Sequence, residues 1–482
     1  MKLTREQMLD SMYERDAAAN GRFLVAVKST GIFCLPSCPA RKPLADNVAF
    51  YTTPDEAAAG GFRACRRCRP DHFYKGYDAD LAELTGLLDL VQADPAAFRS
   101  VQDLVARSGS GMTRLNGLFR RYLQATPAGC LGALRVRAAC ALIAAGKAGA
   151  AEAGFAVGFE SASTYHENFR RMTGMSPGAW RSLGSRDGFE LHLPGDFLVE
   201  YPRRMLARDP ESVAERVAGN KLVKAFAYEG RAARLELAIE GRRVHAEVKT
   251  RGPVGPRLAC AAHAIAVRML ALAADPNPFR RHVQRQPRLA PLIAGRDTLR
   301  IPQTADVFEG VAWAILGQQI NLRFASALRR SLIGLCGRPA GAGFIAHPTP
   351  AEVAALDYAD LTTRKFSRQK AAYLIDFARQ ITAGDFNLEG LSALPAIQAE
   401  KALREVRGIG PWSANYLMLR SLGFADCVPV GDTGLVTALE VFFGLDHRPN
   451  AVETHALMQK FAPWRSLASY HLWMSLGDLP GP

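Results

Sequence analysis

The spacing of hydrophobic and polar positions changes character several times along this 482-residue chain. Residues 1–78 show little helical periodicity and are rich in Cys, Pro and Arg, as expected of a small domain whose core is supplemented by a metal. From about Asp80 to Leu183 apolar residues recur at helical spacing in short stretches, with breaks at Gly109 to Gly111, Pro127, Gly158 and Pro177. The polar run GSRDG (184–188) reads as a linker. Beyond it the period falls to two: RLELAIE (234–240) and VHAEVKT (244–250) alternate apolar and polar positions around Glu240-Gly241, which predicts a hairpin in a β-containing subdomain. After Pro302 the helical period returns almost to the end, with turn signals at Gly408 to Pro411 and at Pro429 to Gly434. The pattern predicts a multidomain chain, mainly α with α+β parts, divided as 1–78, 79–183, 189–295 and 296–482.

Composition narrows the class. Hydrophobic residues make up 48% and charged residues 22%, which excludes disordered and fibrous classes and leaves an ordinary globular protein. Lys and Arg number 60 against 46 Asp and Glu, so the chain attracts polyanions, and nucleic acid is the first partner to test. Of the 9 cysteines only the first four are clustered, which is no disulfide framework. The N-terminal MKLTREQMLDSMYERD is charged and lacks the apolar core of a secretory signal. Ala-rich runs near 133–159 and 258–275 are interrupted by charged residues or His before they could span a bilayer. The expected setting is a reducing cytoplasm, with no membrane.

The clustered cysteines carry the first chemistry. GIFCLPSCPARK and FRACRRCRPD space them as C-x3-C, then 26 residues, then C-x2-C, which suits two short knuckles delivering four thiolates to one tetrahedral Zn2+. The plain alternative is four incidental buried thiols. Arg41, Arg63, Arg66, Arg67 and Arg69 surround the cluster, where cations offset its charge and can grip phosphate. Across about residues 10–75, and above all in TGIFC-x-PSC-x-AR, the sequence resembles the methyl-acceptor domain of the Ada family of adaptive-response proteins. The resemblance implies that Cys34 is both zinc ligand and nucleophile, taking a methyl group irreversibly from a methylphosphotriester in DNA. It also implies Cys38, Cys65 and Cys68 as the remaining ligands, and Arg41 near the phosphate. No Pro-Cys-His-Arg motif is present, so the second methyltransferase of full-length Ada proteins is expected to be absent.

A second set of signals lies between 100 and 180. In SVQDLVARSGSGMTRLNGLFRRYLQATP (100–127) an apolar-stripe helix, a Ser-Gly turn and a second helix bearing Arg114, Asn116, Arg120 and Arg121 form one unit. AEAGFAVGFESASTYHENFRRMTGMSPGAW (151–180) repeats the logic around Gly158, with Ser163, Tyr165, His166 and Asn168 on its polar helix. The ending RRMTGMSP resembles the AraC family of double helix-turn-helix regulators, which implies that Arg114, Asn116, Ser163 and His166 face DNA. An ordinary helical bundle with a basic face is the alternative. The stretch AGAAEAGFAV (148–157) is Ala and Gly rich where the family places Ile and Leu, which predicts weak packing there.

The third set is C-terminal. LREVRGIGPWSANYLML (403–419) places Gly408 and Gly410 between two apolar-periodic helices, a hairpin whose backbone N–H groups can bind a DNA phosphate. Asp432 follows within VPVGDTGLVTAL. By itself it reads as the cap of a helix beginning at Thr433, a role compatible with catalysis. AWAILGQQI, GIGPWSANY, the Asp432 segment and PWRSLASYHLW occur in the order seen in the helix-hairpin-helix glycosylases, and about 189–478 resembles the AlkA-like 3-methyladenine glycosylases. That resemblance implies an α+β N-terminal subdomain followed by an all-α glycosylase domain. It implies Asp432 as the carboxylate facing an oxocarbenium-like sugar, Trp412, Tyr416 and Trp473 as the base pocket, and Gln319 at the position inserted into the duplex. Thr433 stands where these enzymes have a further aromatic, which puts base preference in question. Trp412 stands where strand-cutting relatives have Lys, so no Schiff base is expected.

The leading expectation is an enzyme with two chemistries, methyl capture at Cys34 and base excision at Asp432, acting as a monomer on alkylated double-stranded DNA. RNA polymerase is a candidate partner of the helix-turn-helix part. Two alternatives stay open: a damage-sensing regulator with an inactive glycosylase domain, and a glycosylase whose front half only adds DNA affinity.

Overall fold

In a computed structural model that describes residues 3–16 and 19–477, the chain forms two compact units, Met1–Asp89 and Leu90–Pro482. Four short strands of the first unit lie in the order Val48–Tyr51, Leu24–Val27, Ile32–Cys34 and Arg63–Ala64. The last runs parallel to its neighbour, with Ile32 opposite Arg63 and Phe33 opposite Ala64. This pairing sets the ends of two cysteine-bearing segments side by side. Alternation along Leu24–Val27 sends Leu24 and Ala26 into a core with Phe33 and Leu35, and Val25 into one with Met12 and Phe23.

The second unit begins with the paired helical segments. Val101–Ser108 opens on a capping box between Ser100 and Asp103 and ends on Gly109, whose φ of 63° suits the left-handed turn. Met112–Leu118 follows and continues as a π-helical turn, Phe119–Leu123. The central helix Pro127–Ala144 is long and apolar enough to cross a membrane by length and composition, at mean hydropathy 1.4, which corrects the expectation that charged residues interrupt this run too early. It packs Val136, Ala139 and Ile143 against Phe159, Tyr165 and Phe169, and its Arg135 donates to the Phe98 carbonyl. The expected weak packing before Gly158 is corrected by the contacts. Gly154 lies against Tyr165, where an added Cβ would come within 2.4 Å of the ring, so the small residues allow close approach. Nor is 184–188 a loose linker: Gly184 abuts Pro256 and Gly188 already begins a strand.

A five-stranded antiparallel sheet follows, in the order Gly188–His192, Arg243–Thr250, Arg231–Glu240, Lys221–Tyr228 and Glu215–Ala218. Its hairpin pairs Glu240 with Arg243, as the alternating pattern predicts. Helix Pro256–Leu270 covers the sheet through Leu258, Ala262 and Ala266. The rest is helical around the buried helix Val307–Leu316, with a short hairpin, Arg338–Gly341 and Phe344–Ala346, set against the sheet. This hairpin corrects the expectation that the chain is helical almost to its end after Pro302: its Gly- and Pro-rich sequence shows no alternation to signal strands. Sheet and helices are also joined by buried charges. Arg329 and Lys224 each donate to both Glu215 and Glu309. Burial alone would raise the Glu215 carboxyl, yet Arg329 and Lys224 hold it below its usual value.

Candidate metal centre and candidate active site

Cys34 ends strand Ile32–Cys34, Cys38 follows one turn later, and Cys65 and Cys68 lie on the turn after Arg63–Ala64. The turn is tied to the strand by the Cys65 N–H donating to the Phe33 carbonyl, at 2.9 Å. The four sulfur atoms lie within 4.8 Å of one another. A tetrahedron with Zn–S bonds of about 2.3 Å has edges of about 3.8 Å, so the donor set fits Zn2+ in both chemistry and size. Lys42 donates to the carbonyls of Pro36 and Cys38, and Asn20 pairs with Ser37 through both its amide groups, which fixes the first knuckle. The Leu35 N–H donates to the Cys68 sulfur at 3.3 Å. Cys34 and Cys68 are partly exposed, whereas Cys38 and Cys65 are buried. Arg41, Arg63, Arg66, Arg67 and Arg69 are all exposed.

In the second unit the carboxylate of Asp432 is the meeting point. It caps Thr433–Phe443, as the sequence predicts, by accepting from the Leu435 N–H at 2.8 Å. Two indoles also donate to it: Trp473 Nε1 to Oδ1 at 2.8 Å and Trp412 Nε1 to Oδ2 at 3.1 Å. Tyr416 stacks on Trp412 with ring centroids 5.4 Å apart and lies 6.1 Å from Trp473. Three distant segments thus place the expected aromatic set around one anion. Behind Tyr416 a cavity of about 90 Å³ is lined by Met205, Trp313 and Arg420.

Gly410 precedes Pro411–Leu417, and an added Cβ there would meet nothing within 4 Å, so its backbone is open to approach. Gly408 has φ of 90° and lies on Tyr373, which an added Cβ would meet at 2.4 Å. Gln319 is exposed in the left-handed region, at φ of 56°. Its neighbour Gln318, which sequence reasoning missed, ties that turn to the hairpin by donating to the Gly408 carbonyl and Ser413 Oγ. Lys370 donates to the carbonyls of Leu316 and Gln318. Adjacency to Gln319 in AWAILGQQI was the available signal for Gln318; nothing local signals Lys370. Arg114 is exposed, Asn116 is partly exposed and donates to the Met112 carbonyl of its own helix, and Ser163 and His166 are exposed opposite buried Tyr165 and Phe169.

Three known families match stretches of this chain. Residues 7–71 match the metal binding domain of Ada, 104–182 a helix-turn-helix domain, and 312–463 the HhH-GPD superfamily of base excision DNA repair proteins. The chain thus carries an Ada-type metal binding domain, a helix-turn-helix domain and an HhH-GPD domain in that order. It is 29% identical, over 98% of its length and 96% of the relative's, to the "Probable bifunctional transcriptional activator/DNA repair enzyme AlkA" of Mycobacterium tuberculosis. Over 183 residues, 38% of this chain and 50% of the relative, it is 34% identical to the "Bifunctional transcriptional activator/DNA repair enzyme Ada" of Escherichia coli. A solved 3-methyladenine DNA-glycosylase from Archaeoglobus fulgidus shares the fold over 60% of this chain and 99% of its own, with TM-score 0.53 and 22% identity. Cys34, Cys38, Cys65 and Cys68 all lie within the Ada match, and Asp432, Trp412 and the hairpin glycines within the HhH-GPD match.

Proposed function

We propose that this protein repairs alkylated double-stranded DNA by two chemistries, methyl capture at Cys34 and hydrolytic release of alkylated bases such as 3-methyladenine at Asp432. The observation that carries the second is the convergence of the Trp412, Trp473 and Leu435 N–H groups on one carboxylate beside Tyr416. As the glycosylic bond lengthens, positive charge develops on the sugar, and the fixed Asp432 anion opposes it without reorganising. The indole donors hold the carboxylate, and the ring faces of Trp412 and Tyr416 offer a cationic base a cation–π surface. Gly408 and Gly410 hold the hairpin toward the phosphate backbone, and Gln319 fills the gap left by the extruded base. With no amine at position 412, the enzyme releases base without cutting the strand.

In the front unit Cys34, Cys38, Cys65 and Cys68 would hold Zn2+, which keeps sulfur as thiolate at neutral pH. Cys34 Sγ attacks the methyl carbon of a phosphotriester; the S–C bond forms, the C–O bond breaks, and the phosphodiester leaves with the electron pair. Arg41 and its neighbours face the phosphate. Loss of one thiolate charge weakens repulsion toward DNA, worth on the order of 3 kcal/mol at ~5 Å and an effective dielectric of ~20, before salt screening. Arg114, Asn116, Ser163 and His166 contact DNA in the helix-turn-helix part, which regulates transcription together with RNA polymerase. We read the chain as a cytoplasmic monomer whose parts divide at 1–78, 79–183, 189–295 and 296–482. Incubation with methylated duplex, reading free base release and mass gain of the Cys34 peptide together, tests the proposal. Mass gain without base release would leave only a damage-sensing regulator.

A further inference from the structure

We propose that Gln124, from the helix-turn-helix part, is a positioning residue for the loop that carries Asp432, so that the glycosylase site is complete only with that part docked. The inference rests on the reading of Asp432 above.

Gln124 ends the π-helical turn Phe119–Leu123 in the left-handed region, at φ of 54°, an uncommon conformation for a residue with a side chain. From there its amide reaches Asp426, 302 residues away in sequence. Oε1 accepts from the Asp426 N–H at 2.7 Å, and Nε2 donates to the Asp426 carbonyl at 3.3 Å. One side chain thus satisfies both backbone groups of one residue, as a neighbouring strand would.

The segment it holds is irregular backbone between Leu422 and the cap at Asp432, and it depends on side chains for support. Cys427 N–H donates to Ser466 Oγ at 3.0 Å and Val428 N–H to Asn415 Oδ1 at 3.2 Å. Asp426 also anchors the other side of the site. Its carboxylate accepts from Arg465 Nε and Nη2, both at 2.7 Å, and Arg465 begins the helix whose Trp473 donates to Asp432. Residue 426 therefore lies on the paths to both the Asp432 backbone and one of its indole donors. A cavity of about 340 Å³, lined by Arg121, Gln124, Asn415, Asp426 and Arg465 among others, borders this segment and leaves room for it to shift once the amide is removed. The docked part does not depend on Gln124 alone. At a second junction His263 Nε2 lies 2.7 Å from the Thr173 carbonyl and Trp180 meets the His263 ring edge to face at 4.8 Å.

The test compares the parental chain with Gln124→Ala and Gln124→Glu, the latter keeping the acceptor for the Asp426 N–H but losing the donor. Base release is measured in single turnover across enzyme concentrations, and amide hydrogen exchange is followed over residues 424–432. In Gln124→Ala the rate at saturation should fall about tenfold to a hundredfold, as misplacement of a reacting group does. The half-saturating concentration should stay at the parental value, and exchange at Asp426 to Val428 should quicken. Gln124→Glu should lie between the two, and methyl uptake at Cys34 should be unchanged in both. Parental rate and parental exchange in Gln124→Ala would overturn the inference, as would a change in half-saturation alone, which marks a DNA contact. If the parental chain releases no base, the Asp432 reading fails, and hydrogen exchange still decides whether Gln124 braces the loop.

Discussion

Asp432 is held by donors of two kinds, a helix N-terminus and two indoles, and these can be separated by substitution. Trp473→Phe keeps a ring in place but removes the N–H that lies 2.8 Å from Oδ1. A hydrogen bond to a charged group is worth about 1.5–3 kcal/mol, so single-turnover base release should fall roughly tenfold to a hundredfold with folding intact. A rate near the parental value would mean that the indole N–H contributes only packing. At the cysteine cluster, Cys65→Ala removes one of the two buried thiols, and metal analysis should show loss of tightly held zinc together with unfolding of the first unit. Intact binding would remove the basis for methyl capture. At this scale much was legible. Cysteine spacing marked the four thiols that the fold brings together, and the hairpin followed by Asp432 marked the carboxylate on which two indoles converge. The indole N–H groups were not legible as donors, because the sequence shows ring type and order but not which edge of a ring faces an anion.

Single elements are joined by polar contacts that no periodicity announces. Arg329, on Leu322–Cys336, is 6% exposed and pairs with Glu215 of the sheet and Glu309 of the buried helix Val307–Leu316. Arg329→Met would leave Glu215 and the buried Glu309 to share Lys224 alone, and removing one partner from such a buried charged set costs about 3–5 kcal/mol. Denaturant unfolding of the variant should show that loss, and an unchanged midpoint would contradict it. His263 gives a pH signature. Burial pushes its imidazole down to about 4 from 6.5, so the unfolded chain binds more protons between those values. Its contribution to stability is present above about pH 6.5 and lost as pH falls toward 4, a change on the order of 3 kcal/mol. His263→Gln should flatten the fall in thermal midpoint over that window, and an identical pH profile would exclude His263 as its source. The period-two strands around Glu240-Gly241 were predictable because one face is buried. The hairpin at 338–346 and the close packing of Gly154 on Tyr165 were not, since both depend on partners distant in sequence or on the absence of a side chain.

For the whole molecule, order along the chain carried more than any single motif. A pair of cysteine knuckles, two helix-turn-helix units, a β-containing segment and a hairpin with its Asp follow one another, and the three family matches fall on the knuckles, the helix-turn-helix units and the hairpin with its Asp. Docking of the helix-turn-helix part through Gln124 and His263 lay beyond sequence reasoning, because the partners of these side chains are backbone groups that any sequence supplies. Cys34 and Asp432 belong to different compact units, so their chemistries should be separable. The most direct test is the pair Asp432→Asn and Cys34→Ala, assayed for release of 3-methyladenine and for methyl uptake from the same methylated duplex. Asn is nearly isosteric and can still cap Thr433–Phe443, so Asp432→Asn should fold, lose roughly a hundredfold to a thousandfold in base release, and keep parental methyl uptake. Cys34→Ala should abolish methyl uptake and keep base release. A folded Asp432→Asn protein that still excises 3-methyladenine at near the parental rate would contradict the account.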